Sequence, residues 1–427
     1  MLLPLLQVYP NAKFSLFVLN LRFVLTLVSA LCGTVVFAAN GGLKTHILFG
    51  DTTRVDSPAA QKDVGDLLHT IFNKKGHKAD QDGVRKINLS VVPTLGYTLS
   101  TGFAAGLSGV ATFYTDSKHA GEESVVNAQL FYDSHSQQTF ITQSNIWALN
   151  HQIKFVTDLR ATKYPDVTYG LGSSSTELKA DNINFDYIRF YQTILKKVTT
   201  NFYAGGGYNL DYHFEITEEG NIDNSVSDFK RYGETSSSRS SGYNLTLLFD
   251  SRTNPVNALG GFYANAVYRD NLKALGSDAK WSTIQLDVRK YFKLSQHSNN
   301  VLAFWSYTWL TLSGRQPYLD LPSVGTDTYN NTGRGYAIDR FRGKNMLYLE
   351  SEYRFGITKN GLIGGVLFGN LESYPRNVIT NVPKLIPAAG TGLRLKINKL
   401  SNTNLCIDYG IGTDNSHGVF VNLGEVF

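Results

Sequence analysis

The sequence predicts an all-β fold, a 16-stranded transmembrane antiparallel β-barrel preceded by a short N-terminal helical segment. From about residue 86 onward, short segments alternate apolar and polar residues, which is the period of a strand with two different faces. Beyond the first 39 residues, no apolar run reaches the length of about 18 that a spanning helix needs. Charged residues make up 18% and aromatic residues 12% of the chain, which suits strands with one lipid face and one wet face.

The first 39 residues predict a signal peptide. Lys13 and Arg22 precede an apolar stretch at 23–37, and the small residues Ala38 and Ala39 follow it, as at a signal-peptidase site. We therefore expect the mature chain to leave the cytoplasm. Its one remaining thiol, at position 406, has no second cysteine for an internal disulfide.

Residues 40–85 are predicted to form a short periplasmic N-terminal segment with an amphipathic helix. The apolar residues at helical spacing are Val64, Leu67, Leu68, Ile71 and Phe72. Two interpretations remain open: a helix that caps or lines the periplasmic mouth of the barrel, which we favour, and a docking site for a periplasmic partner.

Residues 86–427 are assigned to the barrel. After Trp281, for example, Ile284 and Leu286 interleave with Gln285 and Asp287. The same alternation places Glu350, Glu352 and Arg354 on the polar face of a later strand, and Asp408 on the polar face of another. A soluble half-buried sheet shows the same period, but sixteen strands of about ten residues match the span of tilted strands in a bilayer. Because a charge on the lipid face costs about 2–4 kcal/mol at mid-bilayer, the ionic faces are predicted to line the lumen.

Short and long connections alternate along the predicted barrel. Short turns at 150–151, 196–197 and 358–361 are expected on the periplasmic side. The long connections, expected on the exterior, are 164–181, 215–240, 313–344 and 374–388. The alternating period slips near Ile188, which predicts either a bulge or a misplaced strand boundary.

The longest connection, between the predicted eleventh and twelfth strands, contains Asn-Thr-Gly-Arg-Gly-Tyr at 331–336. On this motif and its position, the chain resembles the BamA/TamA superfamily. The segments 92–97, 250–254, 317–322 and 333–341 are most similar to its short members from Bacteroidota. The family's sixteen-stranded barrel folds an Arg-Gly-Phe or Arg-Gly-Tyr loop tip back into the lumen. The resemblance therefore implies that Arg334, Gly335 and Tyr336 form a lumenal loop tip.

The resemblance also implies partners for the loop arginine on the barrel wall. In the family this arginine pairs with an acid on strand twelve, here Glu352, and with an aspartate on strand thirteen. The sequence has Asn370 in place of that aspartate, so this contact would be a neutral hydrogen bond, with Glu372 as a possible substitute. A guanidinium suits such a site because it can hold a carboxylate through two parallel hydrogen bonds.

The end of the chain resembles the family's closing strand. It is predicted to run from Gly418 to Phe427, and the resemblance implies a C-terminal assembly signal that includes Phe420, Leu423 and Phe427. Alternation places Glu425 on the lipid face, unless a bend at Gly424 rotates it away.

Insertion, assembly or translocation of proteins at the outer membrane of a Gram-negative bacterium is the function that the resemblance implies. The expected partners are outer-membrane lipid and client outer-membrane or exported proteins. The family's best-studied members carry periplasmic POTRA domains, for which residues 40–85 are too short, so a member without them is expected. The alternative is a passive or gated pore without insertase activity.

Other function classes are disfavoured. The nine histidines show no local pairing with a serine, so an enzyme such as a lipid hydrolase is not expected. The sequence predicts no metal site and no cofactor. A net charge of +5, spread along the chain, does not suggest nucleic acid. We expect a monomeric barrel.

Overall fold

The computed structural model describes residues 61–71, 87–98, 102–115, 123–133, 137–296, 298–378 and 384–427. The predicted signal peptide and most of the segment 40–85 lie outside these residues. The described chain forms one sheet of sixteen strands, each hydrogen-bonded to the next in sequence and antiparallel to it. The first and last strands lie side by side. The predicted fold class is confirmed.

Fifteen connections join the strands in simple sequence order. The strands are β1 (Ile87–Thr98), β2 (Gly102–Phe113), β3 (Ser124–Asp133), β4 (Gln138–Ala148), β5 (Ile153–Thr168), β6 (Asp181–Thr199), β7 (Phe202–Asn221), β8 (Ser237–Asp250), β9 (Gly261–Asn271), β10 (Trp281–Lys293), β11 (Val301–Gly314), β12 (Met346–Gly356), β13 (Ile363–Ser373), β14 (Ile386–Asn398), β15 (Thr403–Ile411) and β16 (His417–Leu423).

The two faces of the sheet differ as the alternation predicted. In β8, Leu245 and Leu247 are 56% and 52% exposed, whereas the intervening Thr246 is 5% exposed. In β12, Leu349 is 40% exposed, whereas Glu350 is 3% exposed. The exposed leucines give the barrel an apolar outer surface, and the charged side chains face inward, where they pair with one another.

The strands on the exterior side are longer than the sequence predicted. β5 and β7 run to Thr168 and Asn221, into the segments expected to be the connections 164–181 and 215–240. On the opposite side, β6 runs to Thr199, so the short turn predicted at 196–197 is wrong: both residues pair with β7, and the chain turns at 200–201 instead. Between β7 and β8 lies a short helix, α2 (Asp228–Gly233), capped by the Ser227 side chain, which accepts from the Lys230 N–H. Ile188 itself pairs regularly with Tyr212, and a register shift of the kind that a bulge produces lies just before it, between Asn184 and Asp186.

The predicted N-terminal helix is observed as α1 (Val64–Ile71). It lies against the short turns at one end of the barrel, where Asp66 pairs with Lys399 at 2.7 Å. The Lys62 N–H also donates to the Asn360 carbonyl at 3.0 Å. Phe72 lies outside the described residues. No helix in the described ranges has the length and apolar character needed to cross a membrane.

The last strand ends earlier than predicted. β16 stops at Leu423, and Gly424 takes a φ of +94°, a left-handed conformation that glycine adopts readily. The Glu425 N–H then donates to the Val256 carbonyl at 3.0 Å instead of continuing the strand. Residues 424–427, called the tail below, therefore turn into the barrel, and the outward alternative for Glu425 is wrong.

Candidate functional site

The long connection between β11 and β12 folds back into the barrel. Two of its segments run antiparallel to each other, with the Val324 N–H donating to the Phe341 carbonyl at 3.0 Å. Tyr336 and Phe341 are each 2% exposed, and they pack against inward-facing aromatic residues of the wall. The loop therefore fills the lumen with a structured plug.

The tip of this loop depends on two glycines. Gly333 and Gly335 have φ values of +81° and +118°, which side chains with a Cβ rarely adopt. A Cβ on Gly335 would lie 2.7 Å from the Ala388 Cβ on β14. A Cβ on Gly410 of β15 would lie 2.7 Å from the Gly335 nitrogen. Glycine at both positions lets the tip backbone rest directly on the wall.

Tyr336 fastens the tip to β14 and to the connection after β15. Its hydroxyl donates to the Pro387 carbonyl at 2.6 Å and accepts from the Thr413 N–H at 2.9 Å. Burial raises the pKa of Tyr336, although the Thr413 hydrogen bonds oppose the shift. The phenol therefore stays protonated and keeps both hydrogen bonds at neutral pH.

Arg334 lies at the centre of the site. Its guanidinium contacts Glu350 and Glu352 of β12 through Nη2, and Asp408 of β15 through Nη1 at 2.5 Å. All four side chains are no more than 1% exposed. The guanidinium also lies over the Phe368 ring, 3.8 Å from its centroid. We call Arg334 with its three carboxylates the clasp.

Burial alone would lower the pKa of Arg334, but the three carboxylates outweigh burial and raise it well above its usual range. The clasp arginine is therefore always charged. Removing it would take a counter-ion from each of three buried acids, which is far costlier than losing a surface pair.

The structure brings together most of the residues that the sequence singled out for the wall. Glu352 contacts Arg334, and the Asn370 side chain donates to the Arg334 carbonyl oxygen at 2.9 Å. Glu372 does not occupy the substitute position, because it accepts instead from the Tyr374 hydroxyl at 3.0 Å. Sequence reasoning missed two clasp residues, Glu350 and Asp408, although both belong to polar faces that alternation identifies.

The tail joins the same ionic network. Glu425 accepts from the Arg394 Nε at 2.8 Å and lies 3.7 Å from the Arg354 Nε. Arg394 in turn contacts Asp408 at 2.5 Å, and Arg354 contacts Glu352 at 2.6 Å. Both arginines thus bridge a clasp acid and the tail. Burial raises the pKa of Glu425, but Arg394 and Arg354 outweigh burial and lower it to about 2.

The three residues implied as an assembly signal occupy different environments. Leu423 of β16 lies opposite Leu405 of β15. Phe420 lies opposite Asp408 and therefore shares its lumenal face. The Phe427 ring lies inside the barrel, with its centroid 5.2 Å from that of Trp305. Arg354 donates to the Phe427 main-chain oxygen at 2.9 Å. Their role as a signal stays a prediction.

The loop has a second anchor near the exterior rim. Asp320, in a short 3-10 turn (Tyr318–Asp320), accepts from the Ser240 hydroxyl at 2.5 Å, and its other oxygen lies 3.7 Å from His213 Nδ1. Burial, and then the nearby Asp211, raise the pKa of Asp320 to about 7. Ser240 donates to the aspartate, whereas serine catalysis needs a serine that donates to the histidine. We read this group as a loop anchor.

Comparison with solved structures shows which known barrels the fold resembles. CdiB from Escherichia coli matches with a TM-score of 0.53 and 10% identity, over 79% of this chain and 62% of that chain. The chain shares the fold of CdiB. CdiB from Acinetobacter baumannii matches with a TM-score of 0.50 and 12% identity, over 80% of this chain and 60% of that chain.

BamA from Haemophilus ducreyi lacking POTRA domains 1-3 is also similar, with a TM-score of 0.48 and 14% identity over 79% of this chain and 69% of that chain. The chain spans about three fifths of the length of the CdiB chains that it matches. No protein-family model and no curated protein matches the sequence.

Proposed function

We propose that the chain is an outer-membrane barrel of the BamA/TamA superfamily that inserts or translocates client proteins. The observation that carries this proposal is the clasp: an Arg-Gly-Tyr loop tip whose arginine binds three buried carboxylates on β12 and β15. Such a structure holds the lumen closed without a separate domain. The likeness in fold to CdiB supports the same assignment.

The edges of the sheet supply a surface for clients. β16 is the shortest strand, with seven residues, and it lies beside β1, which has twelve. Because β16 is shorter, it can form backbone hydrogen bonds with only part of β1. Backbone N–H and C=O groups left over at such an edge recognise another extended chain by strand addition. A client strand is the partner that this chemistry selects.

Depletion of the protein, followed by a quantitative survey of the outer-membrane proteome, tests the proposal. We expect specific surface or exported proteins to be lost, and restored by the wild-type gene. If a gene with Arg252→Ala restores these proteins and a gene with Arg334→Ala does not, the activity depends on the clasp. Arg252 is a suitable control because its buried guanidinium donates to Asp250, two residues away.

The alternative is a passive pore, and single-channel conductance of the purified barrel separates the two functions. A protein whose loop and tail fill the lumen is expected to conduct little until the loop is released. An unchanged proteome after depletion, together with a steady open conductance, would refute insertion or translocation and establish the pore.

A further inference from the structure

Four of the long connections converge on a cavity of about 900 Å³ at the exterior end of the barrel. The wall of this cavity, called the rim pocket below, is formed by the connections β5–β6, β7–β8, β11–β12 and β13–β14 and by the end of β11. Its cationic side chains are Arg231, Arg315, Lys344 and Arg376. The cavity lies apart from the clasp, and the function proposed above assigns it no role.

The charge of the rim pocket is strongly one-sided. Against four cations, its lining contains one acid, Asp228, whose carboxylate already accepts from the Leu171 N–H at 2.8 Å and lies 3.6 Å from Arg231. Within the described part of the chain, no carboxylate forms an ion pair with Arg315, Lys344 or Arg376. A concave surface lined by positive charges concentrates the electric field in the cavity and attracts anions.

Hydrogen bonds fix the backbone that carries these cations. The Thr311 hydroxyl donates to the Lys344 carbonyl at 2.6 Å, and the Asn345 side chain donates to the Arg376 carbonyl at 3.3 Å. The Arg315 guanidinium is held over the Tyr232 ring, 4.1 Å from its centroid. The backbone that carries Lys344 and Arg376 is therefore fixed before a ligand arrives, while their exposed side chains remain free to reach it.

We propose that the rim pocket binds a saccharide that carries two or more phosphate groups. The cavity has the volume of a small-molecule site, much larger than one phosphate ion, and its cations come from separate connections. The paired N–H donors of a guanidinium match the spacing of phosphate oxygens, and this match favours a phosphate over a neutral ligand. Gln316 is 1% exposed and Thr311 is already hydrogen-bonded, so the neutral polar surface for sugar hydroxyls comes from the exposed Asn377.

Such a ligand has two sources, a phosphorylated glycolipid headgroup in the same membrane or a free sugar phosphate, and the test has an arm for each. Binding of glucose 1,6-bisphosphate to the detergent-purified protein is compared with binding of glucose. In parallel, the protein is placed in phosphatidylcholine nanodiscs that contain either a bisphosphorylated diglucosamine glycolipid or its dephosphorylated form, and the glycolipid retained through washing is measured by mass spectrometry.

We expect at least one phosphorylated probe to bind, and its affinity to fall at least five-fold in Lys344→Gln and in Arg376→Gln. The matched control is Lys273→Gln, an exposed lysine in the β9–β10 connection on the same side, which should change the affinity less than two-fold. All of these positions are exposed, so the variants should fold. The arm that responds identifies the source of the ligand.

The proposal is overturned if neither phosphorylated probe binds more tightly than its neutral counterpart. It is equally overturned if Lys344→Gln and Lys273→Gln weaken binding to the same extent, because the attraction would then belong to the general charge of the surface. These outcomes are independent of the proteome survey, so this proposal and the proposed function can fail separately.

Discussion

Replacing Arg334 with alanine removes the one cation shared by Glu350, Glu352 and Asp408. In this variant two of the acids still have another arginine as a partner: Glu352 keeps Arg354, and Asp408 keeps Arg394. Among the described residues, Glu350 keeps the Tyr348 hydroxyl as its one remaining side-chain donor, and this donor is neutral. Breaking one buried pair while its acid stays behind costs about 3–5 kcal/mol, and we take this range as the destabilisation of the docked loop.

That free energy converts to a large change in how often the loop tip opens. At about 1.4 kcal/mol for each factor of ten, the open fraction rises roughly 100-fold to several thousand-fold. Limited trypsin digestion measures it, because Arg340 and Arg342 are 4% and 2% exposed in the docked loop and become cleavable when it opens. The cleavage rate follows the open population when reclosing is fast.

Cleavage after the exposed Arg231 serves as an internal reference, because it does not depend on loop release. Arg252→Ala is the matched control and should leave cleavage after Arg340 and Arg342 within a few-fold of wild type. Arg334→Lys keeps the positive charge but loses the planar guanidinium, which can bind several carboxylates at once. Its cleavage rate at these sites should therefore be intermediate. An Arg334→Ala protein cleaved no faster than wild type at these two sites would refute the reasoning about the clasp.

Three further predictions concern the tip, the tail and α1. Gly335→Ala should speed the same cleavage, because φ of +118° and contact with the wall disfavour any Cβ, at a cost of at least about 1 kcal/mol. Glu425→Gln should lower the thermal midpoint at pH 7, and this difference should shrink as pH falls from about 4.5 toward 2. Asp66→Asn should speed hydrogen exchange in α1 while lowering the free energy of unfolding by no more than about 1 kcal/mol.

The first two of these predictions have matched controls, and the third has a clear contradicting outcome. Gly276→Ala also places a Cβ at a positive φ, but into open space, so faster loop cleavage in this variant would contradict the contact argument for Gly335. Glu177→Gln removes an exposed acid and should not reproduce the pH effect of Glu425→Gln. Unchanged exchange in Asp66→Asn would mean that the Lys399 ion pair does not hold α1.

The direction of the pH effect follows from the lowered pKa of Glu425. Burial raises this pKa, and the two arginines outweigh burial and bring it to about 2. In the unfolded chain the carboxyl titrates near its ordinary value, so the folded state gains stability above that value. The gain is lost as pH falls through the pKa of the folded state.

The sequence predicted the strands well wherever the lipid forces a two-residue period. In β12, alternation identified Glu350, Glu352 and Arg354 as one face, and the structure buries all three. The exterior extensions of β5 and β7 were missed, because strand beyond the bilayer has no lipid face: in β7 the apolar Ile216 is buried, whereas Glu215 and Thr217 are exposed. The end of β16 was missed for a different reason, since a single left-handed glycine at 424 redirects the chain.

The clasp could be predicted only in part. Alternation showed that Asp408 faces inward, but which inward acid meets Arg334 depends on the path of the loop across the barrel. That path is set by close approaches such as Gly335 against Gly410, which no spacing in the sequence encodes. The resemblance supplied Glu352, whereas Asp408 and the tail network required coordinates.

Photo-crosslinking in native outer membranes tests most directly the central claim that the loop tip is docked on the inner wall. With p-benzoylphenylalanine in place of Tyr336, we expect an intramolecular crosslink to the segments around Pro387 and Thr413, mapped by mass spectrometry. When Arg334→Ala is combined with this replacement, the yield of the intramolecular crosslink should fall. A tip that crosslinks to neither segment while it reacts with external proteins or lipid would contradict the docked loop.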